Sequence, residues 1–202
     1  MCGRFAIAIE KQVFEKRFRV RQLAIRLESN ANVTPGMFMP VVVREGENRA
    51  LLMKWGFVPH WSRSLTVTFS NINARAEGIE QSPAYRSSFV SKRCLIPAVG
   101  FYEWKKQEEG KSIPYYFTLK NTLPFAFAGI WDTWKDAEGK AFDTCAIITT
   151  VANTIVAPVH PRMPVILQEK DEDAWLETTT TAGQAKNLLQ PYPPEHMAFS
   201  LF

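Results

Sequence analysis

Cysteine and histidine are scarce in this sequence, with only three of each among 202 residues. Cys2, Cys94 and Cys145 are far apart and odd in number, which fits neither a disulfide framework nor a zinc site of the C-x-x-C type. We therefore predict neither a metal site nor a cofactor.

Long apolar runs are also missing. No stretch approaches the roughly 18 uncharged apolar residues of a membrane span, and the N-terminus lacks a signal-peptide pattern. The sequence shows no internal repeat, no low-complexity segment and no coiled-coil pattern. We predict a cytoplasmic protein with no membrane partner, a monomer with one domain over residues 1–202, although two small domains would also fit this length. The net charge of +4 permits an anionic partner without requiring one.

Cys2 follows the initiator methionine, and a small second residue permits removal of Met1. The mature chain would then begin with a free α-amine and a thiol on adjacent carbons, with ordinary pKa values of about 8 and 8.5. These two groups can attack one aldehyde carbon in turn, first giving an imine and then a five-membered thiazolidine ring. The alternative is that Cys2 is simply the residue after the start codon.

The hydrophobic pattern is mainly that of β-strands, with a few short helices. Ser29–Pro40 is rich in residues that break regular structure, and it predicts a loop. The predicted helices are Glu10–Phe18, Ser82–Phe89, Asp171–Leu176 and Thr181–Leu189. The predicted strands are Arg4–Ile9, Val41–Arg44, Leu51–Trp55, Leu65–Ile72, Cys94–Pro97, Tyr115–Leu119, Phe125–Trp131 and Phe142–Thr150.

Aromatic residues flank a turn in the segment Trp55–Trp61, Trp-Gly-Phe-Val-Pro-His-Trp. Exposed tryptophans of this kind can stack on unpaired bases, and packing in the core under a loop is the alternative. His60 has no partner nearby in the sequence, and we interpret it as a bystander.

A second motif contains Asn73, Arg75 and Glu77, which share one face if the chain stays extended. An amide beside a guanidinium suits a polar or anionic ligand such as phosphate. The alternative is an ordinary surface pair between arginine and glutamate.

Glu103 lies among aromatic residues that include Trp104, and burial there would raise its pKa toward neutrality. A rim glutamate paired with a neighbouring lysine is the alternative. His160 precedes Arg162 in His-Pro-Arg-Met-Pro, where prolines keep the chain extended. A histidine beside a fixed cation can serve as an acid-base group at an anion site, although a lone core histidine is the commoner case.

Five motifs in this order resemble one family. They are Met-Cys-Gly-Arg-Phe, Trp-Gly-Phe-Val-Pro-His-Trp, Asn-Ala-Arg-Ala-Glu, Gly-Phe-Tyr-Glu-Trp-Lys and His-Pro-Arg-Met-Pro. The set, spread from Cys2 to about Leu167, resembles the SOS response-associated peptidase (SRAP) domain, which senses abasic sites in single-stranded DNA. The resemblance implies an α+β fold with a partly closed, barrel-like mixed sheet and short flanking helices, and a basic groove for single-stranded DNA at a junction with duplex.

The resemblance also implies roles for individual residues. Cys2 would form a thiazolidine with the abasic aldehyde, Asn73 would position the reacting groups, and Glu103 and His160 would transfer protons. Arg4, Arg75 and Arg162 match phosphate contacts of the family, Trp61 and Trp104 match its base-stacking or wedge positions, and Thr149 matches a residue of the pocket. It further implies an abasic-site lyase capacity, self-removal of Met1, and association with the nucleoid while bound to DNA.

The chain departs from the family pattern at His60 and Pro161, where a small residue and an aspartate are often found. Two alternative functions stay open. One is an amidohydrolase with Cys2 as N-terminal nucleophile, and the other is a non-enzymatic module that binds single-stranded nucleic acid.

Overall fold

A computed structural model describes residues 2–21, 23, 25–65 and 71–202. Its helices are short, and its strands dominate. The helices are α1 (Lys11–Arg17), α2 (Arg86–Ser91), α3 (Glu172–Leu176) and α4 (Ala182–Asn187). The strands are β1 (Phe5–Ile7), β2 (Asn30–Val33), β3 (Phe38–Glu45), β4 (Glu47–Trp55), β5 (Asn73–Arg75), β6 (Arg93–Ala98), β7 (Gly100–Lys105), β8 (Ile113–Leu119), β9 (Phe125–Lys135), β10 (Ala141–Val151), β11 (Arg162–Pro164), β12 (Ile166–Leu167) and β13 (Met197–Leu201).

Five strands close into a barrel. The order β10-β4-β3-β6-β9 returns to β10 through the antiparallel pairing of β9 with β10, and only the pair of β4 with β10 is parallel. Gly129 on β9 permits the close contact with β6, because a β-carbon there would lie 2.7 Å from Ile96 and 2.8 Å from the sulfur of Cys94. The fold class is α+β, as predicted, and its barrel is closed.

A second sheet packs against the barrel. Its strands follow the order β13-β8-β7-β1-β2, all antiparallel. The rings of Phe5 and Trp55 meet edge to face at 5.1 Å, and Phe101 approaches Phe127 at 6.1 Å. One hydrophobic core therefore connects the two sheets.

Two short strands extend the barrel at β10. β5 pairs with it in parallel, placing Asn73 opposite Ile147 and Arg75 opposite Thr149. β11 pairs with β10 in antiparallel orientation and places Arg162 opposite Val151. Residues distant in the sequence thus meet along one strand.

Several predicted elements are confirmed with shifted ends. The hairpin of β3 and β4 turns at Gly46, whose φ of +77° suits glycine. Thr181 forms a capping box with Gln184 and so begins α4. The predicted helix at Ser82 begins only at Arg86, because residues 82–85 form a turn closed by Ser82.

Other predictions were wrong or fall outside the described chain. The predicted loop Ser29–Pro40 contains β2 and the start of β3, since pairing with β1 and β4 overrides its weak strand propensity. The prediction did not include β13 at the C-terminal end. Residues 66–70 of the predicted strand Leu65–Ile72 lie outside the described residues, as does Met1. Within the described chain, every helix is too short or too polar to cross a membrane.

Candidate functional site

Cys2 lies immediately before β1 and has no exposed surface. Its thiol is 3.9 Å from the carbonyl oxygen of Arg4, and its own carbonyl accepts a hydrogen bond of 3.0 Å from the side-chain amide of Asn73. Burial raises the pKa of the Cys2 thiol well above its ordinary value, and the charge of Glu103 raises it further. The thiol is therefore neutral in this state.

Asn73 begins β5 and is buried. Its amide nitrogen holds the backbone of Cys2, while its side-chain oxygen Oδ1 is buried and has no hydrogen-bond partner among the described residues. Leaving a buried oxygen without a donor costs about 1–3 kcal/mol. This oxygen is thus an acceptor available to a hydroxyl or amine that enters the pocket.

Glu103 lies on β7, in the sheet that also contains β1. Only 3% of the residue is exposed, and burial raises the pKa of its carboxyl group to about 7. This pKa allows the carboxyl group to give and take protons at neutral pH. The charge of Glu103 raises the pKa of the Cys2 thiol, and both residues are buried.

His160 lies between β10 and β11. Its ring nitrogen Nδ1 is 3.0 Å from the backbone nitrogen of Arg162 and 3.1 Å from its carbonyl oxygen. Burial lowers the pKa of His160, and the positive charges of Arg162 and Lys106 lower it further. A neutral imidazole that accepts the Arg162 N–H at Nδ1 carries its proton on Nε2.

Arg162 is held by two neighbours. Its guanidinium donates to both carboxylate oxygens of Glu77, one of them at 2.9 Å, and to the carbonyl oxygen of Thr149 at 2.7 Å. The hydrogen bonds from Arg162 lower the pKa of Glu77. The Nε of Arg162 is buried, with no hydrogen-bond partner in the described part of the chain, so it remains a free donor.

The predicted extended face of Asn73, Arg75 and Glu77 was wrong beyond Arg75. The strand ends there, and Glu77 lies in a 3-10 turn, Ala76–Gly78. The carboxylate of Glu77 turns to Arg162, 85 residues away, and Arg75 stays exposed. Glu77 does form an ion pair with an arginine, but its partner is Arg162 and not Arg75.

Two of the predicted side chains contact each other above the pocket. The guanidinium of Arg4 lies 4.9 Å from the ring centre of Trp104, and both side chains are half-buried. Such a cation–π contact orders the two side chains together.

The two tryptophans at the ends of the Trp55–Trp61 segment differ in burial. Trp55 is in the core and donates to the Ile72 carbonyl oxygen, whereas 58% of Trp61 is exposed. The core alternative is therefore confirmed for Trp55, while base stacking by Trp61 stays a prediction. His60 does have a partner, because its Nδ1 lies 2.9 Å from Asp132.

Most predicted site residues meet around β10. Asn73 joins Cys2, the charge of Glu103 acts on the Cys2 thiol, and Thr149 joins Arg162 and His160. Trp61 is on a separate loop. Sequence reasoning missed Asp132 and Lys106, although an acidic residue between Trp131 and Thr133 in an apolar strand could have indicated a buried carboxylate. Among the described residues, no cluster of three side chains suits a metal ion.

Comparison with known proteins agrees with this geometry. The chain is 38% identical over 201 residues to "Abasic site processing protein YoqW" of Bacillus subtilis, covering 98% of this chain and 90% of that protein. It is 30% identical to "Abasic site processing protein HMCES" of Gallus gallus, covering 77% of this chain and 53% of the relative. A crystal structure from Bacteroides thetaiotaomicron has a TM-score of 0.89 at 27% identity, covering all of this chain and 92% of the other. The family model "SOS response associated peptidase (SRAP)" matches residues 1–201, and the chain belongs to that family.

Proposed function

We propose that this protein processes abasic sites in single-stranded DNA by capturing the abasic aldehyde on Cys2. The observation that carries the proposal is the hydrogen bond from the buried Asn73 amide to the carbonyl oxygen of Cys2, which is itself buried, as Glu103 is. The names of the two relatives, both called abasic site processing proteins, support abasic sites as the substrate. We propose that no cofactor takes part.

The reaction begins once Met1 has been removed. The α-amine of Cys2 attacks the aldehyde carbon of the ring-opened sugar and forms a carbinolamine. The protonated carboxyl group of Glu103 donates a proton to the departing hydroxyl, which leaves as water and gives a protonated imine. The sulfur of Cys2 then attacks the imine carbon, its proton passes to Glu103, and a thiazolidine closes. The balance is protein plus DNA minus one water.

His160 takes and returns protons at the earlier steps. A neutral imidazole suits opening of the sugar ring and deprotonation of the attacking ammonium group. The buried oxygen of Asn73 would accept a hydrogen bond from the amine or the sugar hydroxyl. This division of labour gives Glu103 the late proton transfers and His160 the early ones.

The DNA backbone would be held by arginines. Arg4, Arg75 and Arg162 provide phosphate contacts, and the free Nε of Arg162 is a donor suited to a phosphate oxygen. Trp61 and Trp104 would stack on or wedge between bases, at a junction of single and double strands, and Thr149 would line the pocket.

Further activities follow from the same intermediate. An imine makes the adjacent sugar carbon acidic, so loss of the 3′ phosphate gives an accompanying lyase activity. We also propose that Met1 is removed before capture, by this domain or by an aminopeptidase. We also propose a monomer with one domain over residues 1–202, cytoplasmic and associated with the nucleoid while on DNA.

Intact-mass spectrometry with a single-stranded oligonucleotide that carries one abasic site tests the proposal. Processed protein should form a denaturation-resistant adduct with the mass of protein plus DNA minus water, and Cys2→Ala should form none. Cys2→Ser is the matched control, because it replaces the thiol by a hydroxyl of similar size; both variants keep the α-amine, so each should yield an adduct only after borohydride reduction of the imine.

The alternatives make different predictions in the same experiment. An N-terminal-nucleophile amidohydrolase would turn over amide substrates without DNA, and a simple binding module would keep its DNA affinity in Cys2→Ala and form no stable adduct. Absence of an adduct with fully processed wild-type protein would contradict the proposed reaction.

A further inference from the structure

The loop that presents Trp61, residues 57–65, leaves the barrel after β4. We call it the tryptophan loop. Its first residues are anchored in the core: Phe57 and Val58 are buried, and the Val58 N–H donates to the hydroxyl of Thr144 at 2.9 Å. Three residues later, Trp61 is 58% exposed. An apolar ring is thus displayed at the surface by a loop whose base is rigid.

The two neighbours of Trp61 are each tied to β9. Asp132 accepts hydrogen bonds from the backbone N–H of His60 at 2.8 Å and lies 2.9 Å from its ring nitrogen. The indole N–H of Trp134 donates to the carbonyl oxygen of Ser62 at 2.7 Å. Asp132 and Trp134 are two residues apart on one strand, so they point to the same face of the sheet.

The Asp132 anchor is a buried charge with several donors. Its side chain is 2% exposed and accepts from the Lys92 ammonium at 2.6 Å and from the Thr133 backbone N–H at 2.9 Å. Although burial acts to raise its pKa, the hydrogen bonds from Lys92 and His60 lower the pKa below its ordinary value. A carboxylate so placed is fixed in position, because moving it would leave a buried charge without its donors.

Hydrogen bonds that fix a loop can strengthen the binding of a ligand to an aromatic ring on that loop. A tryptophan on a mobile loop must be ordered when a ligand binds, and that ordering weakens the affinity. Hydrogen bonds to His60 and Ser62 fix the backbone on both sides of Trp61 during folding, so less of the loop has to be ordered on binding.

We propose that Asp132 and Trp134 are positioning residues that hold Trp61 outside the barrel as a preformed stacking platform for an unpaired base. This inference rests on the proposed function, because it assigns the anchored ring to the single-stranded DNA groove. Asp132 and Trp134 act through Trp61 and touch no reacting atom.

Affinity for an undamaged single-stranded oligonucleotide tests the inference without the covalent reaction. Trp134→Phe keeps an aromatic side chain but replaces the indole by a smaller ring that lacks the N–H donor; it should weaken binding by about three- to tenfold. Asp132→Asn should do the same or more. Thr133→Val is the matched control, because it removes a hydrogen bond to Asp143 from the opposite face of the same strand, and it should leave the affinity unchanged.

The decisive measurement repeats Trp134→Phe in a Trp61→Ala background. If Trp134 acts only through Trp61, adding Trp134→Phe to Trp61→Ala should not weaken DNA binding further. Equal losses in both backgrounds, or no loss in either, would overturn the inference. If Trp61→Ala itself leaves affinity unchanged, the inference also fails, while adduct formation by Cys2 on abasic DNA reports separately on the proposed function.

Discussion

At the scale of single residues, Glu103 is a buried acid with a pKa of about 7, and Cys2 is the proposed nucleophile. Burial raises this pKa, so the carboxyl group is protonated in an appreciable fraction of molecules at neutral pH. Since the protonated form donates to the departing hydroxyl, the rate of adduct formation should fall as pH rises above about 7. Single-turnover rates measured across this pH range should show this decrease in wild type and no such decrease in Glu103→Gln. The variant should also be slower than wild type by about 100-fold. If the rate of adduct formation by Glu103→Gln still falls above about pH 7, the titrating group is not Glu103.

The same carboxyl group costs stability at high pH. Its pKa is raised from 4.5 in the unfolded chain to about 7 in the folded one, so the folded state binds the proton more tightly. The stability contribution is full below pH 4.5 and is lost as pH rises through about 7, a total of about 3 kcal/mol. Urea unfolding should therefore show Glu103→Gln gaining stability over wild type between about pH 4 and about pH 8. A constant difference between the two proteins across that range would contradict the buried, shifted carboxyl group.

In the proposed reaction, Asn73 positions Cys2 through one hydrogen bond to its carbonyl oxygen. Asn73→Ala removes the donor to the Cys2 carbonyl, so the terminus should lose its orientation, and adduct formation should slow by about 10- to 100-fold. Affinity for undamaged single-stranded DNA should change little, because Asn73 is buried below the surface. Comparison of the adduct rate at saturating DNA with the dissociation constant separates these effects. Equal losses in both would indicate damage to the fold instead.

At the scale of elements, Arg93 joins β6 to two helices. Its buried guanidinium donates to carbonyl oxygens at the end of α2, at the end of α3 and in the turn that follows, namely those of Phe89, Val90, Trp175, Glu177 and Thr180. The last carbonyl groups of a helix have no hydrogen-bond donor within the helix, and here the Arg93 side chain donates to those at the C-terminal ends of both α2 and α3.

Arg93→Met should destabilise the protein by about 3 kcal/mol or more, because it leaves several buried carbonyl groups without donors. Denaturant unfolding measures the change. Arg86→Met is the matched control on the exposed face of α2, and it should stay within about 0.5 kcal/mol of wild type. If the two variants lose the same stability, the hydrogen bonds from Arg93 to the ends of α2 and α3 do not stabilise the fold.

At the scale of the whole molecule, charge should govern the salt dependence of DNA binding. The chain has a net charge of +4, and Arg4, Arg75 and Arg162 are the proposed phosphate contacts. Each contact to a single strand contributes about −0.7 to the slope of log affinity against log salt concentration. Replacing Arg75 by glutamine should therefore reduce the steepness by about 0.7 in a titration with undamaged DNA.

Arg21→Gln removes the same charge elsewhere and controls for net charge. Arg21 is exposed and pairs with Glu47 at the tip of the hairpin of β3 and β4. Its replacement should leave the slope unchanged. Equal slopes for the Arg75 and Arg21 variants would mean that net charge, and not a local contact, determines the salt dependence.

Local chemistry allowed much to be predicted before any coordinates. Alternating apolar residues indicated most strands, Thr181 indicated the start of α4, and the five motifs indicated the family and its α+β fold. The elevated pKa of Glu103 followed from its aromatic neighbours. These inferences succeeded because their causes lie within a few residues of one another along the chain.

The sequence by itself determined which groups are available: an N-terminal cysteine, an amide, an acid, a histidine and three arginines. Only the tertiary structure decided how they pair. Glu77 binds Arg162 rather than Arg75, His60 meets Asp132, and the rings of Trp55 and Trp61 separate into core and surface. These contacts join residues brought together by closure of the barrel around β10, and no local pattern specifies such long-range pairing, since its free energy comes from burial and strand pairing across the whole domain.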